Sequence, residues 1–393
     1  MTLAEAEDLA LGQEPGYEAL QQRSQALAEK AVAAGQLPDP ELRVGMANFP
    51  IQSGGFSTEG MTQAQLGYRQ SFPSGGSREF RTLKFESLSL EMSEQAGARQ
   101  RDVLRNARRQ WLNAYYWQHA RAMVLEKRPL FADLVEITRS WYAVGRNTQQ
   151  DVLRAELELN KIDDRLIEID EFHRQAVAAL AEWTGAAATR PIASKLPDRE
   201  PLPTLEALQR DLLSHPALLA ARARADAHDA EVGVAEENRK PGWAIDVGYG
   251  YREGELPSGD PRSDFISVAI TTQLPFFRKN RQDRALAAAL RERSAAEYEV
   301  EQLRRRLSSE LDAAYARWHD LDRRADLYES SILLLSADHA QAALLAYQSD
   351  TGDFADVMRG YIDELNIRLE HLRLQVERAQ SYAVLANLGG LSR

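Results

Sequence analysis

Cysteine is missing from all 393 residues, which removes disulfides, thiolate metal sites and cysteine nucleophiles together. Long apolar runs are missing too. Nowhere do about 20 consecutive apolar residues occur, so a membrane-spanning helix is excluded. The short alternating strands of a membrane β-barrel pass that test unseen. The seven histidines are scattered, with no His-x-x-x-His pair and no His/Asp cluster at ligand spacing, so no metal site is expected. No P-loop, dinucleotide fingerprint, nucleophile elbow or metalloprotease motif occurs, so neither catalysis nor a cofactor is expected. A basic excess is also lacking. The net charge is −11, which argues against nucleic acid as a partner. An acidic wall would suit a path for cations, and an acidic balance equally suits an ordinary soluble protein. Met1-Thr2-Leu3-Ala4-Glu5-Ala6 has neither the basic start nor the apolar core of a secretory leader. That leaves a cytosolic protein or one whose leader has been removed.

What is present is a chain written twice. Tyr142 to Gly145 and Asp151-Val152-Leu153 match Tyr347 and Asp356-Val357-Met358 at an offset of 205. The same offset carries Ala178, Leu180, Ala181 and Gly185 onto Ala383, Leu385, Ala386 and Gly390. Ala114-Tyr115 corresponds to Ala314-Tyr315, Leu42 to Ile245, Pro38 to Pro241, and Phe72-Pro73 to Leu274-Pro275. An ordered series along the whole chain means duplication. The repeats are expected over 1–190 and 204–393, joined by a proline-rich linker over 191–203 holding Pro191, Pro197, Pro201 and Pro203.

Each repeat has one grammar. A helix of about 30 residues opens it, over 3–34 and 204–238, with Thr204 as a cap for the second. Two strands follow, then a long helical hairpin over 75–140 and 147–184, with counterparts at 278–345 and 353–388. Ala, Leu, Glu, Arg and Gln fill these hairpins and favour helix, and Pro129 predicts a kink or break. A helix of about 60 residues is roughly 90 Å long, more than a compact core can hide. It must pack lengthwise, as in a coiled coil or a tube of helices. The cluster Trp111, Tyr115, Tyr116 and Trp117 reads as helix packing.

Four segments alternate with period two. Over 41–49, Leu42, Val44 and Met46 share a face; over 63–72, Ala64, Leu66 and Tyr68 do. Over 243–251 the apolar face is Trp243, Ile245, Val247, Tyr249 and Tyr251, and over 265–274 it is Ile266, Val268 and Ile270. The opposite faces are small and polar. Strands of about 9–11 residues suit a tilted bilayer crossing. A soluble sheet with one face on a core has the same alternation. Four strands cannot close, and an open sheet cannot sit in lipid with bare edges. Three copies would supply twelve strands, and twelve long helical strands in a tube.

These residues resemble the outer-membrane efflux proteins of tripartite export pumps, the TolC-like ducts, over essentially the whole chain. The resemblance rests on the duplicated order and on a Tyr-x-x-Gly turn before Asp-Val-Leu, here Tyr142-Ala143-Val144-Gly145 and Asp151-Val152-Leu153. In the second copy Asp350 aligns with the glycine and Gly352 follows two residues later, which leaves that tip's geometry open. The segments from Gln70 to Arg78 and from Gln273 to Arg281 look most like the heavy-metal branch. The resemblance implies a mainly α fold with membrane β: a homotrimer whose twelve-stranded barrel in outer-membrane lipid continues into a periplasmic α-helical barrel. It also implies a removed leader, a periplasmic adaptor (membrane fusion) protein and an inner-membrane proton-driven pump of the RND class as partners, and heavy-metal cations or organic compounds as cargo. A soluble coiled-coil scaffold is the rival class.

The same resemblance marks Val144, Gly145 and Arg146, and Ser349, Asp350, Thr351 and Gly352, as adaptor-docking tips; a plain helix-turn-helix connection is the alternative. Asp151 and Asp356, placed roughly two helical turns past the tips, would form carboxylate rings narrowing the closed mouth, or serve as helix N-terminal acids. Arg154 and Arg359 would pair with acids between protomers, or make i,i+3 pairs on their own helices. Tyr142 and Tyr347 would add hydrogen bonds at the gate.

Overall fold

The computed structural model describes residues 1–12, 14–197 and 201–391, so residues 198–200 of the expected linker lie outside the described residues. The first half runs α1 (Leu3–Gly12), α2 (Pro15–Ala34), β1 (Glu41–Ala47), β2 (Gln63–Phe72), α3 (Ser77–Ala143) and α4 (Gln149–Thr184). The second repeats that order as α5 (Leu205–Leu212), α6 (Pro216–Glu237), β3 (Trp243–Tyr251), β4 (Phe265–Thr272), α7 (Gln282–Leu327), α8 (Leu333–Gln348) and α9 (Phe354–Gly389).

Two expectations about helices are corrected. The opening helix of each repeat is broken in two, and the second piece starts on proline in both, at Pro15 and Pro216. Proline has no N–H to give, so it fits the first position of a helix and not its interior. Conversely, α3 runs unbroken through Pro129. Val124 and Phe131 on either side are wholly buried, and that packing outweighs the one lost backbone bond. In the second repeat a π-helical turn, Tyr328–Ile332, joins α7 to α8 near the place corresponding to Pro129.

The chain packs as two compact units, and each draws on both repeats. One comprises residues 1–18, 96–216 and 303–393. Its core is built on α9, whose Leu365, Leu369, Leu372 and Val376 meet Trp111, Phe131 and Leu134 of α3. A second cluster joins Leu208 and Leu212 of α5 to Leu307, Leu311, Leu385 and Leu388. Trp111 and Tyr115 are buried as the sequence predicts, and Trp117 stacks on Phe172 at 4.7 Å. Three buried charges of this unit are paired: Arg108 Nε donates to Glu7 at 2.7 Å, and Lys127 and Arg368 reach Glu364 at 2.9 and 2.6 Å.

The other unit, residues 19–95 and 217–302, carries the sheet. Its helices approach closely where a Cβ on Gly233 of α6 would collide with the Phe80 ring of α3. The two expected hairpins join through β2 and β3 into one antiparallel sheet of order β1-β2-β3-β4. The register keeps parity across all four strands. Leu42, Tyr68, Val247 and Val268 form one row, and Val44, Leu66, Tyr249 and Ile266 the next. The opposite face carries Glu41, Arg69, Asp246 and Ala269, then Arg43, Gly67, Gly248 and Ser267. No helix of the described residues is long and apolar enough to cross a membrane.

Candidate functional site

Both helical hairpins turn by the same backbone device. At the end of α3, Gly145 has φ +75°; its N–H donates to Tyr142 O at 3.0 Å, and the Arg146 N–H reaches Trp141 O at 2.9 Å. At the end of α8, Asp350 has φ +61°; its N–H donates to Tyr347 O at 3.2 Å, and the Thr351 N–H reaches Ala346 O at 2.9 Å. Each is a Schellman motif, in which a left-handed residue satisfies the last carbonyls of a helix. The aspartate at the glycine's place therefore leaves the turn unchanged, since Asp is among the few side chains that tolerate this region. Val144, Arg146, Ser349, Asp350 and Thr351 are exposed and Gly352 is half-buried.

The following helices begin differently. Thr148 caps α4: its hydroxyl accepts from the Asp151 N–H at 3.3 Å, while the Asp151 carboxylate accepts from the Thr148 N–H at 3.0 Å. Asp151 thus closes a capping box. On α9 the capping position is Asp353, whose side chain makes no cap bond. Asp356 instead pairs with Arg359 at 2.9 Å, an i,i+3 contact with both side chains exposed. Arg154 is exposed and forms no ion pair among the described residues. Both acids stand in the first turn of the helices that follow the tips.

The two tyrosines share a repeat position and little else. Tyr142 is 49% exposed, whereas Tyr347 is 7% exposed. Tyr347 stacks on Trp141 with centroids 4.9 Å apart and leans on Phe354 at 5.5 Å. Its hydroxyl accepts a hydrogen bond from Asn147 Nδ2 at 2.7 Å. Burial raises the Tyr347 phenol above its ordinary value, with the Asn147 bond opposing. The first tip is thereby fastened to the second hairpin through Trp141 and Asn147. Neither was singled out from sequence; Trp141 beside Tyr142, with Ala346 in the matching place, was the one available signal.

The sheet is the other candidate surface. Its apolar face points to solvent: Val44, Ile266 and Ile270 are 76%, 78% and 71% exposed. Across the opposite face Arg69 lies 3.8 Å from Asp246, which accepts from Thr271 Oγ1 at 2.9 Å. That face is a concave trough of about 750 Å³. β1 and β4 are its outer strands. Among the described residues no group of three or more His, Asp or Glu side chains is placed to hold a metal ion.

Against known proteins, residues 207–391 match the family described as outer membrane efflux protein. Protein CyaE of Bordetella pertussis is 26% identical over 264 residues, 63% of this chain and 54% of CyaE, so the match spans about half the length of that curated relative. The solved outer-membrane channel OprN superposes with a TM-score of 0.82 at 16% identity, covering 99% of this chain and 89% of OprN. The outer membrane protein VceC of Vibrio cholerae gives 0.82 at 18% identity over 99% of this chain and 96% of its own. The second repeat thus matches the outer membrane efflux family, and the fold over nearly every residue is the TolC-like fold of the solved outer-membrane channels.

Proposed function

We propose that the chain is one protomer of a homotrimeric exit duct in the bacterial outer membrane, passing cargo from a tripartite pump to the exterior without catalysis. One observation carries the reading: an open four-stranded sheet holds its apolar face out to solvent and its polar face in a trough. Water cannot be the partner of that face. A coiled-coil scaffold would need it covered, whereas lipid suits it. Alternating strand directions mean that β4 of one copy meets β1 of the next antiparallel, so a ring of copies removes both bare edges. Three copies make the twelve strands that the family resemblance implies.

In this reading tips 144–146 and 349–352 dock a periplasmic adaptor, beyond which stands an inner-membrane RND pump. The Asp151 and Asp356 carboxylates narrow the closed mouth, with Tyr142, Tyr347, Arg154 and Arg359 around them. Heavy-metal cations are the proposed cargo, supported by the acids at the tips and by the two strand-to-helix turns; organic compounds are the alternative. Mass in detergent and single-channel conductance in planar bilayers test the duct, and a water-soluble monomer without conductance overturns it. A deletion strain sensitised to organic compounds but not to metal salts overturns the metal cargo.

A further inference from the structure

We infer that the segment just after β4 is a binding surface for anionic phospholipid headgroups, an inference that rests on the proposed membrane role of the sheet. Leu274 continues the even-numbered apolar register of β4, and the Gln273 N–H still bonds to Gly242 O at 3.2 Å. The chain then turns through Pro275 into Phe276 and Phe277, which are 77% and 81% exposed. Such exposure is unusual for phenylalanine in water. Arg278 and Lys279 follow in a 3₁₀ turn, Arg278–Asn280, then Arg281. All three cations are exposed and form no ion pair among the described residues. The nearby acids are already engaged, Glu237 by Lys240 at 2.6 Å and Asp283 by Arg239 at 3.3 Å. A recess of about 460 Å³ opens beside them, lined in part by Ser74, Lys240, Phe276, Phe277 and Arg281.

Apolar rings next to unpaired cations, at the end of a lipid-facing strand, match the boundary where acyl chains give way to phosphates. The rings enter the edge of the hydrocarbon, and the cations meet the phosphate layer above it. The matching turn of the first repeat is built otherwise. There Phe72 stacks on Trp243 at 4.1 Å, the Gly76 N–H donates to Glu237 at 2.7 Å, and Arg78 spends its guanidinium on Gly35 O at 3.0 Å. The turn of the second repeat instead presents three adjacent cations without an ion pair among the described residues, giving one lipid seat per protomer.

The test is retention of phosphatidylglycerol against phosphatidylcholine, read by native mass spectrometry of protein released from nanodiscs holding both. Wild type should keep phosphatidylglycerol preferentially. The R278Q/K279Q/R281Q variant should lose that preference, roughly fivefold per charge and on the order of 100-fold in all. F276S/F277S should weaken both lipids alike. Equal retention by wild type, or undiminished preference in the triple variant, overturns the inference. Should the triple variant not assemble, K279Q alone must still lose about fivefold, and no loss overturns it. Conductance of the wild type separates the two failures: a conducting protein without lipid preference sinks only the headgroup site, while a non-conducting soluble one sinks the duct as well.

Discussion

Asp350 holds the backbone conformation that Gly145 holds at the other tip, φ +61° against +75°, with the same two helix-closing hydrogen bonds. An L side chain in this region costs about 1 kcal/mol, less for Asp than for most. Gly145→Ala should therefore weaken the first tip by about 1 kcal/mol, and Asp350→Gly should leave the second tip as stable or slightly firmer. Amide hydrogen exchange at the Arg146 and Thr351 N–H groups reads both. Equal effects of the two changes would show that the tips are not equivalent turns.

Tyr347 and Tyr142 should respond unequally. Truncating a buried aromatic costs about 3–5 kcal/mol, and losing only its hydroxyl bond about 0.5–1.5. Tyr347→Ala should thus free the first tip from the second hairpin, and Tyr347→Phe should do so partially. Tyr142→Ala, at an exposed position, should change little. Spin-label distances between the two tips report the separation directly, and a Tyr142 effect as large as that of Tyr347 would refute the fastening.

That inequality marks the limit of what the sequence makes legible. Period two in residues such as Val44, Leu66, Val247 and Ile270 announced the strands and their faces, because the sheet register preserves parity. The repeat announced both hairpins and placed both tips. Pro15 and Pro216 carried the breaks in the opening helices in plain sight, yet Pro129, the same residue type, sits inside an unbroken helix. The difference lies in burial of its neighbours, which no local pattern encodes. The π-turn at Tyr328–Ile332 has no residue signal, and Tyr347 differs from Tyr142 only through what folds against it. The junction of β2 with β3 is likewise a tertiary fact.

Asp151 and Asp356, proposed to narrow the mouth, call for a substitution that separates charge from capping. Asp151→Ala removes the capping-box acceptor and should cost α4 about 1 kcal/mol whatever its electrostatic role. Asp151→Asn keeps an oxygen for the Thr148 N–H and removes only the charge. The pair Asp151→Asn with Asp356→Asn should lower cation preference in reversal-potential measurements if both carboxylates face the path. Unchanged selectivity would assign Asp151 to capping and Asp356 to its Arg359 pair alone.

Glu91 gives a pH dependence with a definite sign. It is 6% exposed on α3, accepts from Gln95 Nε2 at 2.9 Å, and is raised above its ordinary value by burial, with Arg224 and His228 opposing. Below the unfolded value near 4.5 both states are protonated and the group costs nothing. As pH climbs through the raised folded value, stability falls, because the unfolded chain ionises more readily. Glu91→Gln should accordingly raise the melting temperature at neutral pH, with the advantage shrinking as the pH drops below the ordinary glutamate range. An advantage independent of pH would mean that packing, not ionisation, sets the effect.

Ser267 and Val268 are adjacent in β4 and belong to opposite faces, which makes them the sharpest test of the sheet's orientation. Val268 shares a row with Leu42, Tyr68 and Val247, while Ser267 sits over Gly248 beside Gly67 and Arg43. Arginine on a lipid-facing strand costs about 2–4 kcal/mol near the bilayer midplane, and a ring of three copies multiplies that threefold. Val268→Arg should therefore block assembly into liposomes. Ser267→Arg should assemble normally and reduce conductance, since the trough has room and the glycines opposite leave none of their own bulk in the way. Semi-native gel mobility after refolding into lipid separates the two outcomes. If Ser267→Arg blocks insertion and Val268→Arg is tolerated, the apolar face is not the one lipid covers, and the cylinder is inside out.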